Sequence, residues 1–227
     1  GRIKALYIMG EDPLMSEPDL NHARACFEKL DFLVMQDLFL TPTVEMADVV
    51  LPAASFAEKD GTFTSAERRV QRVRKALQPV GKSRADWEII CELSTRMGFP
   101  MSYSGPAQIM EEIAAVVPAY AGIRHERLEP DGIQWPCPGV SHPGTKYLFR
   151  DSIPRGKGKF HAVRYKESRE LPDEQYPFYL STGRVLYHWH GGALSRRSEA
   201  LEPIYPAAVV EIHPQDAGCI PCRDGEM

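Results

Sequence analysis

The chain has 227 residues, 43% of them apolar and 26% charged, which places it among ordinary globular proteins with length for one large domain or two modest ones. A formal net charge of -4 argues against nucleic acid as the main partner, because proteins that grip a phosphate backbone carry a basic excess. Five cysteines, at 26, 91, 137, 219 and 222, form no spaced framework and suit a reducing compartment, the cytoplasm by default.

No apolar run approaches the ~20 residues that span a bilayer, and no signal peptide opens the chain. It begins with Gly1 in place of Met and stops at Asp224-Gly225-Glu226-Met227, a turn signal with no strand after it. It therefore reads as an internal piece of a longer polypeptide, upstream of which an export signal would be invisible.

Residues 5–10 (ALYIMG) form a short apolar run ending in glycine. Ser16, followed three residues later by Asp19, resembles a capping-box helix start, after which Leu20, Ala23, Phe27 and Leu30 supply an apolar side. Residues 32–35 are predicted as a second strand and 49–51 as a third, halted by Pro52. Strand, helix, strand with short links implies a parallel sheet with right-handed crossovers.

Ser83 and Asp86 make another capping-box-like pair, Trp87, Ile90, Leu93 and Met97 a helical stripe, and Gly98 with Pro100 a stop. A further helix is expected from about 106 to 117. Residues 119–175 thin into Gly, Pro and charge, with short strands suggested at 147–149 and 160–165, and read as an excursion and connector. Residues 177–182 (PFYLST) and 207–212 (AAVVEI) look like strands, and 213–217 like a short helix start. The expectation is an α/β protein: a parallel sheet with flanking helices over 1–118, a connector over 119–175, and the start of a β-rich domain over 176–227.

Ligands of an open parallel sheet bind beyond the carboxyl ends of its strands. Gly10, Glu11, Asp12 and Pro13 follow the first strand, and Gln36 and Asp37 the second. Carboxylates there accept from ribose hydroxyls or guanine N–H groups and repel phosphate; the plain alternative is that Glu11 and Asp37 cap turns. There is neither a G-x-G-x-x-G nor a Walker loop.

In residues 58–69 (EKDGTFTSAERR), Gly61 allows a tight turn and Thr62, Thr64 and Ser65 offer donors. From Arg68 to Arg84 seven residues are basic and none acidic, which is either a solvated face or a contact for phosphate or an acidic subunit.

Residues 181–198 (STGRVLYHWHGGALSRRS) gather three arginines, two histidines, three glycines and four serine or threonine hydroxyls. Such a segment suits an anion: Arg184, Arg196 and Arg197 offer forked donors, while Gly183, Gly191 and Gly192 let backbone amides approach. His188 and His190 would share a face on an extended chain, as cofactor contacts more than as metal ligands. Cys219-Ile220-Pro221-Cys222 has C-x-x-C spacing, but one pair alone specifies neither zinc nor haem and reads as two small buried side chains.

Together, YIMGEDP, the block VMQDLFLTPTVEMADVVLPAASFAEKDGTFTSAERRVQ, DWEIICELSTRMG and STGRVLYHWHGGALSRRS resemble the catalytic subunit of molybdenum or tungsten formate dehydrogenases, within the bis-molybdopterin guanine dinucleotide oxidoreductases. The resemblance implies that the first region is the later part of a Rossmann-like domain cradling one guanine dinucleotide, and that the last begins a double-psi barrel closing over the pterins. It implies nucleotide contacts from Gly10, Glu11, Asp12, Pro13, Gln36 and Asp37, help with the pyrophosphate from Thr41 or Thr43, and further cofactor contacts from Gly61 and Thr62. Thr182, Gly183, Arg184, His188, His190, Ser195 and Arg196 would contact pterin and phosphate.

In that family formate is oxidised to carbon dioxide at a metal bound by dithiolene sulfurs and a protein Cys or selenocysteine, assisted by His and Arg. No cysteine of this chain precedes a His; the following residues are Phe27, Glu92, Pro138, Ile220 and Arg223. The resemblance thus places the metal ligand and a 4Fe-4S cluster N-terminal of this stretch, with the rest of the catalytic subunit, electron-transfer subunits and formate as partners. Gly191-Gly192 stands where relatives often carry a Thr-containing pair. A structural subunit of the NADH dehydrogenase large-subunit type, or a sibling such as nitrate reductase or formylmethanofuran dehydrogenase, is the alternative.

Overall fold

The structure, a computed structural model, describes residues 2–220 and 223–225. It divides into two compact units, Gly1–Tyr165 and Lys166–Met227.

In the first unit, β1 (Ala5–Met9), β2 (Phe32–Asp37) and β3 (Val49–Pro52) form a parallel sheet with β2 in the centre. The register sets Tyr7 beside Val34, Met9 beside Gln36, and Gln36 beside Leu51. Alternation sends Leu6, Ile8, Leu33 and Met35 to one face, where Val44, Phe27, Leu30 and Met46 cover them. Burying side chains of this size contributes about 1.5–3 kcal/mol each.

The crossover from β1 to β2 contains α1 (Pro13–Ser16) and α2 (Leu20–Phe27). The cap of α2 is Asp19, whose side chain accepts from His22 N at 2.9 Å, and Ser16 instead closes α1 by donating to Asp12 O. Pro18 explains the shift: it disfavours helical φ/ψ at Glu17, so the helix breaks and restarts.

Helix α3 (Asp86–Arg96) has Ala85 at its N-cap and no side-chain cap. Its buried residues are Ile89 and Cys91, while Ile90, Leu93 and Met97 of the expected stripe are exposed. Gly98, at φ +90, ends it as expected. Helix α4 (Pro106–Val116) starts on a proline at its first turn.

A second sheet was not foreseen: β4 (Gly61–Thr64), β5 (Arg69–Val73) and β6 (Ile133–Gln134) pair antiparallel. Gly61 opens β4, and the tight turn falls at 65–68, where Arg68 takes φ +68. Val70, Met110, Ile123, Leu128, Ile133 and Cys137 form the core beneath. Four of those six come from the stretch read as connector, so 119–137 is folded onto the hairpin. Gly122 makes this possible, since a Cβ there would lie 2.0 Å from Gly139 O.

The strands suggested at 147–149 and 160–165 are absent, and Phe160, Val163 and Tyr165 are exposed. The second unit contains 3-10 turns at Ser195–Arg197 and Glu202–Ile204 and α5 (Pro214–Ala217), which falls where a short helix start was expected and whose N-cap His213 accepts from Gln215 N. Residues 177–182 and 207–212 have no regular secondary structure and make no ladder. An apolar alternating segment becomes a strand only when a neighbour takes its N–H and C=O groups, and none of these segments has one among the described residues. Among the described residues no helix is long and apolar enough to cross a membrane.

Candidate functional site

The carboxyl edge of the parallel sheet is built mostly from backbone and short polar side chains. Gly10 follows β1 at φ +64 and donates its N–H to Gln36 O at 2.9 Å. A Cβ would meet nothing there, so glycine serves the left-handed backbone and not a close contact. Glu11 is exposed beside it.

Asp12 Oδ1 accepts from Thr43 N at 3.2 Å and from Thr43 Oγ1 at 2.5 Å, and Thr43 Oγ1 accepts from Leu14 N at 3.0 Å. These bonds tie the loop after β1 to the loop after β2. Thr41 Oγ1 accepts from Val44 N at 3.3 Å, just ahead of the 3-10 turn Val44–Met46. Both threonines are buried. Their hydroxyls, expected to serve a pyrophosphate, here hold the two loops in place. Asp12 Oδ2 is buried with no hydrogen-bond partner.

Asp37 Oδ1 accepts from Leu38 N at 2.6 Å and Phe39 N at 3.3 Å, the turn-capping geometry. Gln36 is fully buried, and its amide is held by Tyr7, whose hydroxyl donates to Oε1, and by Asp86, whose Oδ1 accepts from Nε2 at 2.6 Å. Of the edge side chains, Glu11 is exposed and Asp37 half-buried, while Gln36, Thr41 and Thr43 belong to the frame.

Gly61 and Thr62 pair with Val73 and Arg72 inside the second sheet. Just before them Ser55 and Glu58 make a capping box; Glu58 accepts from Ser55 N at 2.8 Å and from Val80 N at 2.9 Å. These bonds, Ser55 N–H first, hold the Glu58 carboxyl below the usual carboxylate range.

Four residues of the basic run, Arg74, Lys75, Lys82 and Arg84, are exposed, as a solvated face would be, and several of its arginines have local partners. Arg68 donates to Trp135 O, Thr145 O and Lys146 O and lies over the Trp135 ring; Arg69 pairs with Glu67, Arg74 with Glu129, and Arg84 with Glu92. These guanidiniums fasten the hairpin and α3 to their own surroundings.

In the second unit, His188 is buried, with Nε2 2.8 Å from Tyr205 O and Nδ1 3.2 Å from Ser195 Oγ, which also accepts from Trp189 N. Arg196 Nη1 lies 3.1 Å from both Glu202 oxygens and from Pro206 O. Gly192, at φ +82, keeps its Cα hydrogens against Arg196, whose Cγ would stand 2.6 Å from a Cβ. His188, Ser195 and Arg196 thus close a small knot.

His190 is exposed at φ +51, edge-on to Trp189, so the two histidines do not share a face. Thr182, Gly183 and Arg184 are exposed. Cys219 is exposed, contrary to the buried reading, while Cys222 lies outside the described residues, as do Glu226 and Met227 of the terminal turn.

Lys59 and Tyr7, in the network around Gln36, were not singled out from the sequence, and Asp86 was read only as half of a capping-box-like pair with Ser83. Their signal was weak: one lysine in a turn, one acid at a helix start, one tyrosine in a strand.

An open parallel sheet with Glu11 and Asp37 beyond the carboxyl ends of its strands has the arrangement of α/β proteins that bind nucleotide-type ligands at that edge. The chain belongs to the molybdopterin oxidoreductase family: the family model described as Molybdopterin oxidoreductase matches residues 1–96, and that described as Molydopterin dinucleotide binding domain matches 178–227. It is 47% identical to the F420-dependent formate dehydrogenase subunit alpha of Methanocaldococcus jannaschii, over 99% of this chain and 34% of that protein. It is 40% identical to the probable oxidoreductase YjgC of Bacillus subtilis, over 100% of this chain and 23% of that protein. The acetylene hydratase of Pelobacter acetylenicus superimposes with a TM-score of 0.46 at 23% identity, over 54% of this chain and 17% of that one. The chain therefore spans about a third, or less, of the length of these curated relatives.

Proposed function

We propose that this stretch is the cofactor-binding portion of a formate dehydrogenase catalytic subunit, which converts formate to carbon dioxide, a proton and two electrons. The observation that carries the reading is identity of 40% or more, across nearly the whole chain, to relatives named as formate dehydrogenase subunits. None of these relatives bears the name of the structural subunit considered as the alternative. The cofactor is bis-molybdopterin guanine dinucleotide with molybdenum or tungsten, which when bound supplies the centre that accepts formate's two electrons. The metal ligand, a 4Fe-4S cluster and contacts with electron-transfer subunits belong to sequence outside this stretch, and the complete protein works in the cytoplasm.

The residues present fit this group in a divided way. Glu11 and Asp37 are acceptors at the sheet edge, suited to guanine N–H and ribose hydroxyl donors, and Gly10 lets the backbone turn toward a ligand. Asp12, Gln36, Thr41 and Thr43 hold those loops. Gly61 and Thr62 act through the hairpin. In 166–227, Arg184 is exposed and bonded to no described residue, so its guanidinium is open to phosphate, with Thr182, Gly183 and His190 also exposed. His188, Ser195 and Arg196 shape that segment from within.

The test is metal and guanine-nucleotide analysis with formate-dependent dye reduction by the full-length subunit. Bound metal, guanine and dye reduction are expected. Metal without dye reduction moves the assignment to a sibling oxidoreductase, and neither guanine nor pterin moves it to a structural subunit. Arg184→Ala is expected to lower metal occupancy more than Arg74→Ala, because Arg74 is paired with Glu129.

A further inference from the structure

Gln36 is the only fully buried residue with a side-chain amide among the described residues, and its amide has four hydrogen-bonding positions to satisfy. Tyr7 on β1 donates to its oxygen, and its nitrogen donates to Asp86 Oδ1 at 2.6 Å, at the first turn of α3. The other oxygen of Asp86 pairs with the Lys59 ammonium, which lies between the 3-10 turn Phe56–Glu58 and β4. The chain of bonds thus runs Lys59, Asp86, Gln36, Tyr7, and joins the hairpin, α3 and two strands of the parallel sheet.

Its polarity is one-way. The ammonium can only donate, so Asp86 accepts on both oxygens, Gln36 must turn its N–H group toward Asp86, and Tyr7 is left as donor. Burial and then the nearby Asp86 charge raise the Tyr7 phenol above its ordinary value, which keeps the donor proton in place.

The backbone of Gln36 is what makes this consequential. Its C=O receives the Gly10 N–H at 2.9 Å, and the next residue is Asp37, whose own C=O receives Ala53 N–H at 3.0 Å. Both acceptor-bearing loops of the sheet edge, at 10–12 and at 37–39, therefore hang on the position of one residue. That residue's side chain is oriented by groups on other elements.

We propose that Lys59 and Asp86 are positioning residues for the nucleotide edge, acting through Gln36 and Tyr7 to set the Gly10 and Asp37 loops without touching the ligand. This rests on the guanine-dinucleotide reading above. The partly buried Lys59–Asp86 pair makes each single loss costly, because it strands a charge beside a buried amide.

The network also predicts its own repair. A glutamine amide can turn over and a phenol can accept as well as donate. With the charges exchanged, an ammonium at position 86 donates to the amide oxygen, the amide nitrogen turns to Tyr7, and the chain is rebuilt with reversed polarity.

The experiment uses the full-length subunit carrying its cofactor and measures guanine nucleotide released on dilution, alongside hydrogen exchange of the Gly10 amide. Lys59→Glu and Asp86→Lys, singly, are expected to speed both by roughly tenfold. The double variant is expected to return both to within about threefold of the parent, as in a coupled pair. Lys59→Met, which keeps the stem and removes the charge, gives the same direction if the charge-reversed singles do not fold. Parent-like release and exchange in Lys59→Met overturn the proposal, as does a double variant no better than the worse single. A parent subunit with no guanine nucleotide overturns instead the cofactor reading, and the exchange readout then still tests the network.

Discussion

In Gly1–Tyr165 each strand has a hydrogen-bonded neighbour, and β2 and β5 carry buried residues, whereas in Lys166–Met227 apolar segments form no ladder among the described residues and are exposed. The second unit is held by a polar knot around His188 and Arg196 with two short 3-10 turns. The difference teaches that apolar alternation does not make a sheet. It makes a chain able to join one, and the joining is decided by what else is near.

The comparison can be broken most directly at glycines. Gly122→Ala should destabilise the first unit by about 3 kcal/mol or more, because backbone atoms of Gly139 occupy the space its methyl would need. Gly183→Ala meets nothing within 4 Å and should change stability by no more than about 0.5 kcal/mol. Urea unfolding of the two variants checks the contrast, and equal midpoints would refute it.

Next in size are the apolar deletions. Met35→Ala, at a fully buried site in the sheet, should cost about 2–5 kcal/mol, and Leu180→Ala, at 86% exposure, almost nothing. A comparable loss in both would mean that residues 177–182 are packed after all.

Gly192→Ala sharpens the comparison inside the second unit. The added Cβ strains a backbone at φ +82 and displaces the flexible Arg196 stem, for a cost of about 1–2 kcal/mol. Faster proteolysis within 186–206, with the first unit unaffected, is the expected readout.

The smallest effect is a pH dependence confined to the first unit. His125 is buried, and burial, then the Arg72 charge, push its pKa below the ordinary histidine value, while Glu126, Asp60 and Glu111 pull the other way. The unfolded chain then binds the proton more readily, so this contribution is intact above about pH 6.5 and is lost as pH falls toward the folded value. Thermal midpoints measured from pH 7.5 to 5 should fall less in His125→Gln than in the parent.

Much of the first sheet was legible. Runs of β-branched and aliphatic residues at 5–10, 32–35 and 49–51 lie where β1, β2 and β3 form, and Gly98 ends α3. The cap of α2 was misplaced because Pro18 breaks the helix between Ser16 and Asp19. The buried face of α3 was misread because Ile89 and Ile90 are equally apolar, and only tertiary packing decides which points inward. At the candidate site, the sequence placed the residues at the ends of strands but did not show their partners: Thr43 and Gln36 look like ligand groups in sequence, yet they bond to Asp12, Tyr7 and Asp86, as many as 50 positions away.

By itself, the sequence determined the parallel order of short apolar strands, the helices between and after them, and the family to which the chain belongs, because periodicity and local motifs are short-range properties. Only the tertiary structure decided that 119–137 close a second core, that four arginines of the basic run find partners nearby, and that the Gln36 amide is bonded to Tyr7 and Asp86. Those outcomes depend on groups far apart in sequence competing for the same donors, acceptors and buried space, which a linear pattern does not encode.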